Sequence, residues 1–580
     1  MKRLFSFIKG YRKEAVLGPL FKLVEATLEL IVPLIIANII DNGIAAVQSG
    51  AISAEAGRTE IIVQCLWLLA LGAAGLVFSI TAQYFCARAA VGVVTRMKGA
   101  LFSHLGTLSY TEIDRLGTST MITRMTSDAN QVQTGFNLAL RLLLRSPFVV
   151  FGAMIMACTI DLGSFAIFGI TILVLSVVVF GIMLISMPLY KKVQSRVDGV
   201  VGKTRENLSG ARVIRAFCKE ESERREFDER NGALTRVQKL VGRISALMNP
   251  LTYIIINVAI VILIYTGAVK VADGPLSAGQ VVALYNYMSQ ILVELIKLAN
   301  LIITITKSVA SASRISTVFD MKSSMVEGDR LEGEGGEFAV ELDGAALTYY
   351  GAAHPSVEGI SLKVRRGETV GIIGGTGSGK TSLVNLIPRF YDATEGCVKI
   401  NGTDVKEYAT SALREKVAVV PQKAVLFAGS VRENMQVGNE GATDEQIMRA
   451  LEIAQAKGVA EDKGGLDGRI EQGGKNLSGG QKQRLTIARA LVKSPEILIL
   501  DDSASALDFA TDAALRMAIK NMDGNTTVFI VSQRASSIMY ADKIVVLEDG
   551  RADAIGTHDE LMEHSAVYRE IYASQFSEEV

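Results

Sequence analysis

The stretch ETVGIIGGTGSGKT, residues 368–381, decides the fold of the second half of this chain. Its apolar start predicts a strand, and the glycine-rich run after it predicts a loop that opens a helix. Gly374, Gly379, Lys380 and Thr381 fit the spacing GxxxxGK[ST] of a phosphate-binding loop. Glycines let backbone N–H groups converge on phosphates without interference from a Cβ atom, and the N-terminus of the helix adds positive charge.

The same stretch supplies the predicted nucleotide contacts. We expect Lys380 to reach the β- and γ-phosphates of ATP and Thr381 to ligate Mg²⁺. The predicted nucleotide-binding residues of the loop are Gly374, Gly375, Thr376, Gly377, Ser378, Gly379, Lys380, Thr381 and Ser382.

A second apolar strand, Ile497–Leu500, ends in Asp501 and Asp502. A buried strand that delivers a carboxylate at its C-terminal end suits both Mg²⁺ and the attacking water of phosphoryl transfer. Such strands are common, so this pattern gains its weight from the phosphate loop. Asp501 is the predicted metal ligand.

Composition divides the chain near residue 320. A chain of 580 residues is too long for one core, and its 49% hydrophobic content beside 21% charged residues predicts membrane and soluble parts joined together. Residues 319–338 are rich in Gly, Glu, Asp and Ser and predict a linker. We expect an all-α membrane domain at 1–318, the linker at 319–338, and an α/β nucleotide-binding domain of the P-loop type at 339–580.

The membrane domain is predicted from six apolar stretches, each close to the roughly 20 residues that a spanning helix needs. None of comparable length follows residue 311. The predicted spans are Val16–Ile40, Ile61–Ala82, Leu138–Thr159, Ser164–Leu184, Leu247–Val269 and Val281–Ile305.

Loop charges predict the orientation. The connection after the first span contains the basic residue Arg58, the one after the third contains none, and the one after the fifth contains Lys270. The connections after the second and fourth spans are long and rich in basic residues. The positive-inside bias then places the long loops and both termini in the cytoplasm of a multi-pass protein of the cell membrane. Helical periodicity in both long loops predicts that the spanning helices continue well beyond the bilayer.

Composition also excludes several classes of site. The 60 basic and 60 acidic residues cancel, which gives no argument for a nucleic-acid partner. The five cysteines and four histidines are dispersed and show no metal-ligand spacing, so neither a disulfide framework nor a zinc site is indicated.

Further motifs resemble the ABC transporter superfamily, in its exporter subclass. Leu477-Ser-Gly-Gly-Gln481 is similar to the family signature, Ser505-Ala-Leu-Asp508 to the loop after the magnesium carboxylate, and Gln422 to the glutamine between the two subdomains, which also approaches the metal. Tyr349 resembles the aromatic residue that stacks on adenine, although Tyr350 adjoins it. The resemblance adds Tyr349, Ser478, Gly479, Gly480, Gln481 and Asp508 to the nucleotide contacts, with the signature serving the nucleotide of the opposite subunit.

The resemblance implies an ATPase coupled to export of a small amphipathic molecule, lipid or drug, with membrane lipid around it and a second half-transporter as partner. Two residues depart from the family pattern. Asp502 replaces the usual glutamate base, and Gln533 replaces the usual histidine. Together with Gln422 these are the predicted catalytic residues. The departures predict weak hydrolysis at this chain's own site and a heterodimer whose other half retains the glutamate and the histidine.

Other interpretations stay open at this point. Asp502 and Gln533 are tolerated variation in one alternative, the chain is a homodimeric exporter with slow turnover in another, and it is a nucleotide-gated regulator or channel in a third. Within the spans, Glu25, Glu29, Glu294 and Lys297 either line a path for cationic substrates or, the preferred interpretation, face neighbouring helices or the membrane interface.

Overall fold

Long apolar segments form the helices of the first half of the chain. The computed structural model describes residues 6–522 and 525–576, and these divide into two units. The first unit contains the described residues up to His104 together with Ser119–Asp320, and the second contains Leu105–Thr118 and the described residues from Met321 onward.

Within the described residues, six helical segments are long and apolar enough to cross a membrane, which confirms the predicted all-α membrane domain. Several are about twice the length that a bilayer requires, because polar helical sequence continues from the apolar runs. The segments are Phe7–Gln48, Ala54–Gly106, Thr118–Ile160, Leu162–Ser209, Glu220–Ala272 and Ala278–Asp320.

These segments contain short irregular turns, so the α-helices themselves are more numerous. Wider helical turns occur at Ile39–Ala45 and Arg124–Asp128, and a 3₁₀ turn at Phe7–Tyr11 precedes the first helix. The α-helices are α1 (Arg12–Asn38), α2 (Ala46–Gln48), α3 (Ala54–Gly106), α4 (Tyr110–Leu116), α5 (Thr118–Thr123), α6 (Ala129–Leu142), α7 (Arg145–Ile160), α8 (Leu162–Ser209), α9 (Ala211–Ala216), α10 (Glu220–Ala246), α11 (Met248–Ala272) and α12 (Ala278–Asp320).

The core of the first unit lies where α1, α7, α8, α11 and α12 meet. Small residues such as Ala26 and Ala153 are fully buried there and allow the helices to approach closely. The Tyr287 hydroxyl donates a 2.6 Å hydrogen bond to the Leu30 carbonyl oxygen, so this polar group on α12 is satisfied by the backbone of α1.

The described residues of the second unit form an α/β domain with three sheets. A six-stranded, mostly parallel sheet has the order β12-β11-β3-β10-β9-β6, a four-stranded antiparallel sheet has the order β2-β1-β4-β5, and β7 pairs with β8. The strands are β1 (Phe338–Leu347), β2 (Val357–Arg365), β3 (Thr369–Gly374), β4 (Glu395–Ile400), β5 (Thr403–Asp404), β6 (Val417–Val420), β7 (Gly429–Ser430), β8 (Arg469–Ile470), β9 (Ile497–Asp501), β10 (Thr527–Val531), β11 (Lys543–Glu548) and β12 (Arg551–Gly556).

Helices cover the parallel sheet and complete three cores among the described residues. One packs the antiparallel sheet against β3 and its helix, a second packs helices of residues 431–520 against β6 and β9, and a third packs helices of residues 535–576 against β3 and β11. These helices are α13 (Lys380–Leu386), α14 (Thr410–Lys416), α15 (Val431–Gln436), α16 (Asp444–Ile453), α17 (Lys457–Asp462), α18 (Gly479–Val492), α19 (Phe509–Lys520), α20 (Ala535–Ile538), α21 (His558–His564) and α22 (Ala566–Phe576), with a 3₁₀ turn at Gln472–Gly474.

The segment Leu105–Thr118 precedes α5 in the chain but packs within the second unit. The Tyr391 hydroxyl donates a 2.5 Å hydrogen bond to Asp114 Oδ2 on α4, and the Tyr110 ring lies 4.8 Å from the Phe390 ring. The Arg115 guanidinium covers the ring of Tyr350 at 4.9 Å. An aromatic surface of the α/β domain is therefore covered by a helix from a distant part of the sequence.

Candidate nucleotide-binding site

The phosphate loop lies between β3 and α13, as the sequence predicts. Gly379 ends it with a φ of +94°, in the left-handed region that favours glycine. A Cβ atom at this position would lie 2.3 Å from the Ser356 carbonyl oxygen. The glycine before Lys380 is therefore required both by the backbone angle and by the close approach of a neighbouring chain segment.

Lys380 is folded back onto its own loop. Its ammonium group donates hydrogen bonds to the carbonyl oxygens of Gly374 at 2.9 Å and Gly375 at 2.6 Å. Burial lowers the pKa of Lys380, while the carboxylates of Asp502 and Asp501 oppose that shift. The cation is thus held at the centre of the loop, with the two aspartates close enough to influence it.

Thr381 and Asp501 meet through a 3.0 Å hydrogen bond from the threonine hydroxyl to Asp501 Oδ1. Asp501 is buried at the end of β9, and this burial raises the pKa of its carboxyl, with the neighbouring Asp502 adding to the effect and Thr381 and Lys380 opposing it. Two predicted metal ligands from different elements are therefore adjacent. A buried carboxylate beside a hydroxyl is a hard oxygen pair of the kind that Mg²⁺ accepts.

Gln422, which follows β6, reaches the residue after β9. Its side-chain amide donates a 3.1 Å hydrogen bond to Asp502 Oδ2. Because β6 and β9 are parallel neighbours in the sheet, their carboxyl ends lie at one edge and bring the two side chains together. Asp502 has a φ of +46°, which is uncommon for a residue other than glycine and fixes a sharp turn directly after the strand.

Gln533 lies just after β10, the strand between β3 and β9. The residue is exposed, and its carbonyl oxygen accepts a 2.7 Å hydrogen bond from the Gln575 side-chain amide. The predicted catalytic residues Gln422, Asp502 and Gln533 thus all follow carboxyl ends of neighbouring parallel strands, at the edge that carries the phosphate loop.

Tyr349 is the tyrosine connected to the phosphate-loop helix. Its hydroxyl donates a 3.0 Å hydrogen bond to Ser382 Oγ, and its ring stands edge-on to Tyr391 at a centroid distance of 5.0 Å. Tyr350 is 66% exposed, and the Arg115 guanidinium lies over one face of its ring. The structure therefore places Tyr349, rather than its neighbour, within reach of the loop.

The signature segment forms the N-terminus of α18. Ser478 accepts a hydrogen bond from the Gln481 backbone N–H, and its own N–H donates to the Gln481 side chain at 2.9 Å, which is a complete capping box. A Cβ atom on Gly480 would lie 3.0 Å from the carbonyl oxygen of Ala506. Ser478 and Gly479 are exposed, so the start of this helix presents free surface rather than packing against the chain's own phosphate loop.

Asp508, the other predicted contact, caps α19. Its carboxylate accepts hydrogen bonds from the Thr511 N–H at 2.9 Å and the Thr511 hydroxyl at 2.8 Å. These bonds lower the pKa of the Asp508 carboxyl. Within this chain, Asp508 has a structural role at the helix start, next to the segment that touches Gly480.

Sequence reasoning missed Tyr391 and Asp114, which join the wall of the pocket beside Tyr349 to α4. A cavity of about 370 Å³ lies there, lined among others by Tyr349, Tyr391 and Asp114. In the sequence, this pocket is indicated only by the aromatic residues Tyr349, Phe390 and Tyr391. No local pattern predicts that Tyr391 contacts Asp114, 277 positions away.

Comparison with known proteins agrees with this geometry. Residues 16–295 match the family described as ABC transporter transmembrane region, and residues 357–505 match the family described as ABC transporter. An uncharacterized ABC transporter ATP-binding protein of Mycobacterium tuberculosis is 34% identical over 579 residues, which cover 99% of this chain and 97% of that protein.

Two other relatives carry functional names. A Bacillus subtilis protein named for multidrug export, an ATP-binding/permease protein, is 30% identical over 99% of both chains. The ATP-dependent lipid A-core flippase of Vibrio vulnificus is 27% identical, with 100% of this chain and 98% of that protein covered. The solved structure of a bacterial Atm1-family ABC exporter with ATP bound has the same fold, with a TM-score of 0.82 at 22% identity over 98% of this chain and 99% of that one.

Proposed function

The chain belongs to the ABC transporter family, as a half-transporter with one membrane region fused to one ATPase domain, and on this premise we propose that it is the catalytically weak half of a heterodimeric exporter. ATP binding, ATP-driven transport and a multi-pass exporter architecture follow from the family and the fold. The observation that carries the finer proposal is the combination of a fully formed signature at Ser478 with Asp502 in place of the usual glutamate.

Asp502 supports weak hydrolysis at this chain's own site. Aspartate is one methylene shorter than glutamate, so its oxygens withdraw by about 1.5 Å, and a misplacement on the order of 1 Å can cost roughly a hundredfold in rate. The hydrogen bond from Gln422 holds the shorter carboxylate in place. Gln533 can still donate a hydrogen bond, but its amide cannot become cationic or transfer a proton.

The signature segment, residues 477–481, supports the proposal that this chain helps to bind the nucleotide of its partner. Its backbone N–H groups and the Ser478 hydroxyl lie at the exposed start of α18, where the helix dipole favours an anion. The 14-residue helix buries most of its residues from Leu485 to Val492, so its C-terminal part is packed in the domain core while its start stays at the surface. A phosphate bound to a second subunit would find a prepared set of donors there.

Thr381, Asp501 and Gln422 fit a magnesium site. The Thr381 hydroxyl and Asp501 Oδ1, 3.0 Å apart, are hard oxygen ligands of the kind that Mg²⁺ accepts together with nucleotide phosphates. When bound, Mg²⁺ neutralises phosphate charge in phosphoryl transfer. Lys380 supplies the protein's own cation at the loop, and Asp502 is the only group of the three predicted catalytic residues able to accept a proton from water.

We further propose that the transporter lies in the cytoplasmic membrane with both termini in the cytoplasm and moves an amphipathic molecule outward. The basic loops support this orientation. The names of the relatives, multidrug export and lipid A-core flipping, support a lipid-like or drug-like cargo.

The test is co-expression with a second half-transporter of the same organism that carries the glutamate and the histidine at the corresponding positions. We expect a stable complex that hydrolyses ATP and accumulates substrate in proteoliposomes, with hydrolysis depending on the partner's glutamate. Rapid hydrolysis by the purified chain alone contradicts the weak-site proposal. Nucleotide-gated passive flux without uphill accumulation contradicts active export.

A further inference from the structure

Four charged side chains on three membrane helices form one row of alternating sign. Arg145 on α7 donates from Nη1 to Glu294 Oε1 at 2.6 Å and from Nη2 to Glu29 Oε2 at 2.5 Å. The Lys297 ammonium donates to Glu294 Oε1 at 2.9 Å, and the Ser146 hydroxyl donates to Glu294 Oε2 at 2.8 Å. The row therefore runs Lys297, Glu294, Arg145, Glu29 and contains two cations and two carboxylates. We call it the charged row.

The inner and outer members of the charged row differ in exposure. Arg145 and Glu294 side chains are 8% and 4% exposed, whereas those of Lys297 and Glu29 are 44% and 42% exposed. The charges of the buried pair compensate each other, although Arg145 Nε has no hydrogen-bond partner among the described residues, and the pair ties α7 to α12. The two outer members of the charged row can form additional hydrogen bonds. Lys297 has further N–H donors, and Glu29 Oε1 has no hydrogen bond within the described residues.

A cavity of about 300 Å³ lies beside the charged row. Glu29, Glu294 and Lys297 line it, together with Gln290, whose buried side-chain oxygen has no hydrogen-bond partner among the described residues. The Gln290 amide thus adds a neutral polar group to the charged groups of this wall.

Apart from Asn286 and Ser289, the remaining wall of the cavity is apolar. Side chains from α1, α7 and α12 provide it, and they are Val32, Pro33, Ile36, Val149 and Val293. A volume of about 300 Å³ lies at the small end of ligand sites, enough for a head group and the beginning of an apolar chain. Amphiphiles combine these two parts.

We infer that this cavity is a subsite for the head group of a zwitterionic amphiphile, with Lys297 contacting its anionic group and Glu29 its cationic group. A ligand of one net charge would satisfy only one end of the row and would add an uncompensated charge to a neutral cluster inside the membrane domain. A zwitterion aligned antiparallel to the row satisfies both ends. The inference rests on the proposed export function and names its substrate class.

Glu25 offers a matched control on the same helix. It lies one turn before Glu29, forms its own 2.5 Å ion pair with Lys22, and does not line the cavity. Glu29→Gln leaves Arg145 paired with Glu294, and Lys297→Gln leaves Glu294 paired with Arg145 and Ser146. Both variants therefore preserve the buried pair, and Glu25→Gln reports the effect of removing a carboxylate from this helix in general.

The experiment measures binding to the full chain in nanodiscs of phosphatidylglycerol without nucleotide, by calorimetry with empty discs subtracted. The probes share a dodecyl chain and are dodecylphosphocholine, dodecyl phosphate and dodecyltrimethylammonium. We expect the zwitterion to bind about tenfold more tightly than either singly charged probe. Glu29→Gln should raise the relative affinity of the anion, Lys297→Gln should raise that of the cation, and Glu25→Gln should change neither.

Nanodiscs that contain phosphatidylethanolamine distinguish the source of the head group. A bilayer lipid that occupies the subsite will weaken dodecylphosphocholine binding there, whereas an unchanged affinity indicates a free amphiphile as the ligand. Equal affinities of the three probes, or equal losses for all three in both variants, overturn the inference and assign the row to helix packing alone. Because the binding measurement contains no ATP, its result does not depend on transport. Charge-selective binding therefore supports the head-group subsite even if the separate transport assay finds no export.

Discussion

Gln422 donates a 3.1 Å hydrogen bond from its amide to Asp502 Oδ2, joining the segments that follow two neighbouring parallel strands. The carboxylate that should accept a proton from water is thereby held by a second residue of the same site. Since Asp502 also has a positive φ, its backbone cannot shift freely to make up for the short side chain. The distance that the Asp502 oxygens extend from the backbone is therefore fixed by the length of an aspartate side chain.

Lengthening that side chain should increase ATP hydrolysis. We expect Asp502→Glu to raise the turnover of the chain alone at least about tenfold, because the carboxylate advances by one methylene toward the position of the attacking water. Adding Gln533→His should raise it further. Steady-state phosphate release from the purified protein is the measurement.

Asp502→Asn is the control for this series. It keeps the size of the side chain and removes the base, so nucleotide affinity should stay within about twofold while hydrolysis falls below the wild-type rate. A glutamate variant no faster than the wild type would show that reach is not what limits this site.

The signature can be tested in the same activated background. In the Asp502→Glu, Gln533→His chain, Ser478→Ala should abolish most of the gained hydrolysis and leave ATP binding unchanged, because we propose that Ser478 contacts the nucleotide of the opposing subunit, here a second copy of the chain. Removing a serine cap also costs about 1 kcal/mol of stability. Phosphate release and nucleotide affinity are measured together.

Ser430→Ala supplies the matched control for the lost cap. Ser430 caps α15 with an equivalent capping box to Glu433, so the two substitutions remove the same kind of interaction. Hydrolysis by the Ser430→Ala protein should remain near that of the activated background. Equal losses in both variants would trace the Ser478 effect to helix stability.

The two adjacent tyrosines should differ in their effect on nucleotide affinity. Tyr349→Ala should weaken ATP binding about tenfold or more, since stacking of a base on an aromatic ring contributes roughly 1–3 kcal/mol. Tyr349→Phe keeps the ring and loses only the bond to Ser382, so it should change affinity little. Fluorescence titration with a labelled ATP analogue measures these constants.

Tyr350→Ala is the comparison, because its exposed ring contacts Arg115 rather than the phosphate-loop helix. Its affinity for ATP should match the wild type. A larger loss for Tyr350→Ala than for Tyr349→Ala reverses the assignment of the stacking residue.

The local motifs were the predictable part of this molecule. Glycine spacing around Lys380 and the apolar strand before Asp501 specify their own conformations, so the phosphate loop and the strand ends lie as expected. The six membrane segments were also predictable from length and apolarity, and the structure confirms them. These signals are contained within windows of about 20 residues.

Contacts between distant segments were not predictable in the same way. The sequence showed Glu29 and Glu294 inside spans, but not that Arg145, 116 and 149 positions away from them, pairs with both. The preferred expectation was that these residues face neighbouring helices or lie near the membrane interface. Glu294 does pair with α7, but Glu29, Glu294 and Lys297 also line one cavity. Side-chain pairing across helices depends on helix rotation, which apolar periodicity alone does not fix.

Loss of the Tyr391 hydroxyl should loosen α4 from the α/β domain. In Tyr391→Phe the hydrogen bond to Asp114 disappears while the ring contacts remain, which costs about 1 kcal/mol. Amide hydrogen exchange in residues 110–116 should accelerate about fivefold, as measured by mass spectrometry.

Tyr350→Phe is the matched change on the neighbouring aromatic residue, whose ring stays under Arg115. Exchange in residues 110–116 should be the same as in the wild type. An unchanged exchange rate in Tyr391→Phe would show that ring packing against Tyr110 is sufficient to hold the helix.

The second unit is built from two separate parts of the chain, so the ATPase domain cannot be isolated intact by a single cut before Met321. A recombinant ATPase fragment that starts at Met321 omits Leu105–Thr118 and uncovers the Phe390 and Tyr391 rings that α4 normally shields. Newly exposed aromatic surface promotes aggregation. Solubility of such a fragment should therefore depend on supplying the α4 peptide in trans or on replacing those rings with polar side chains, whereas the intact polypeptide needs neither.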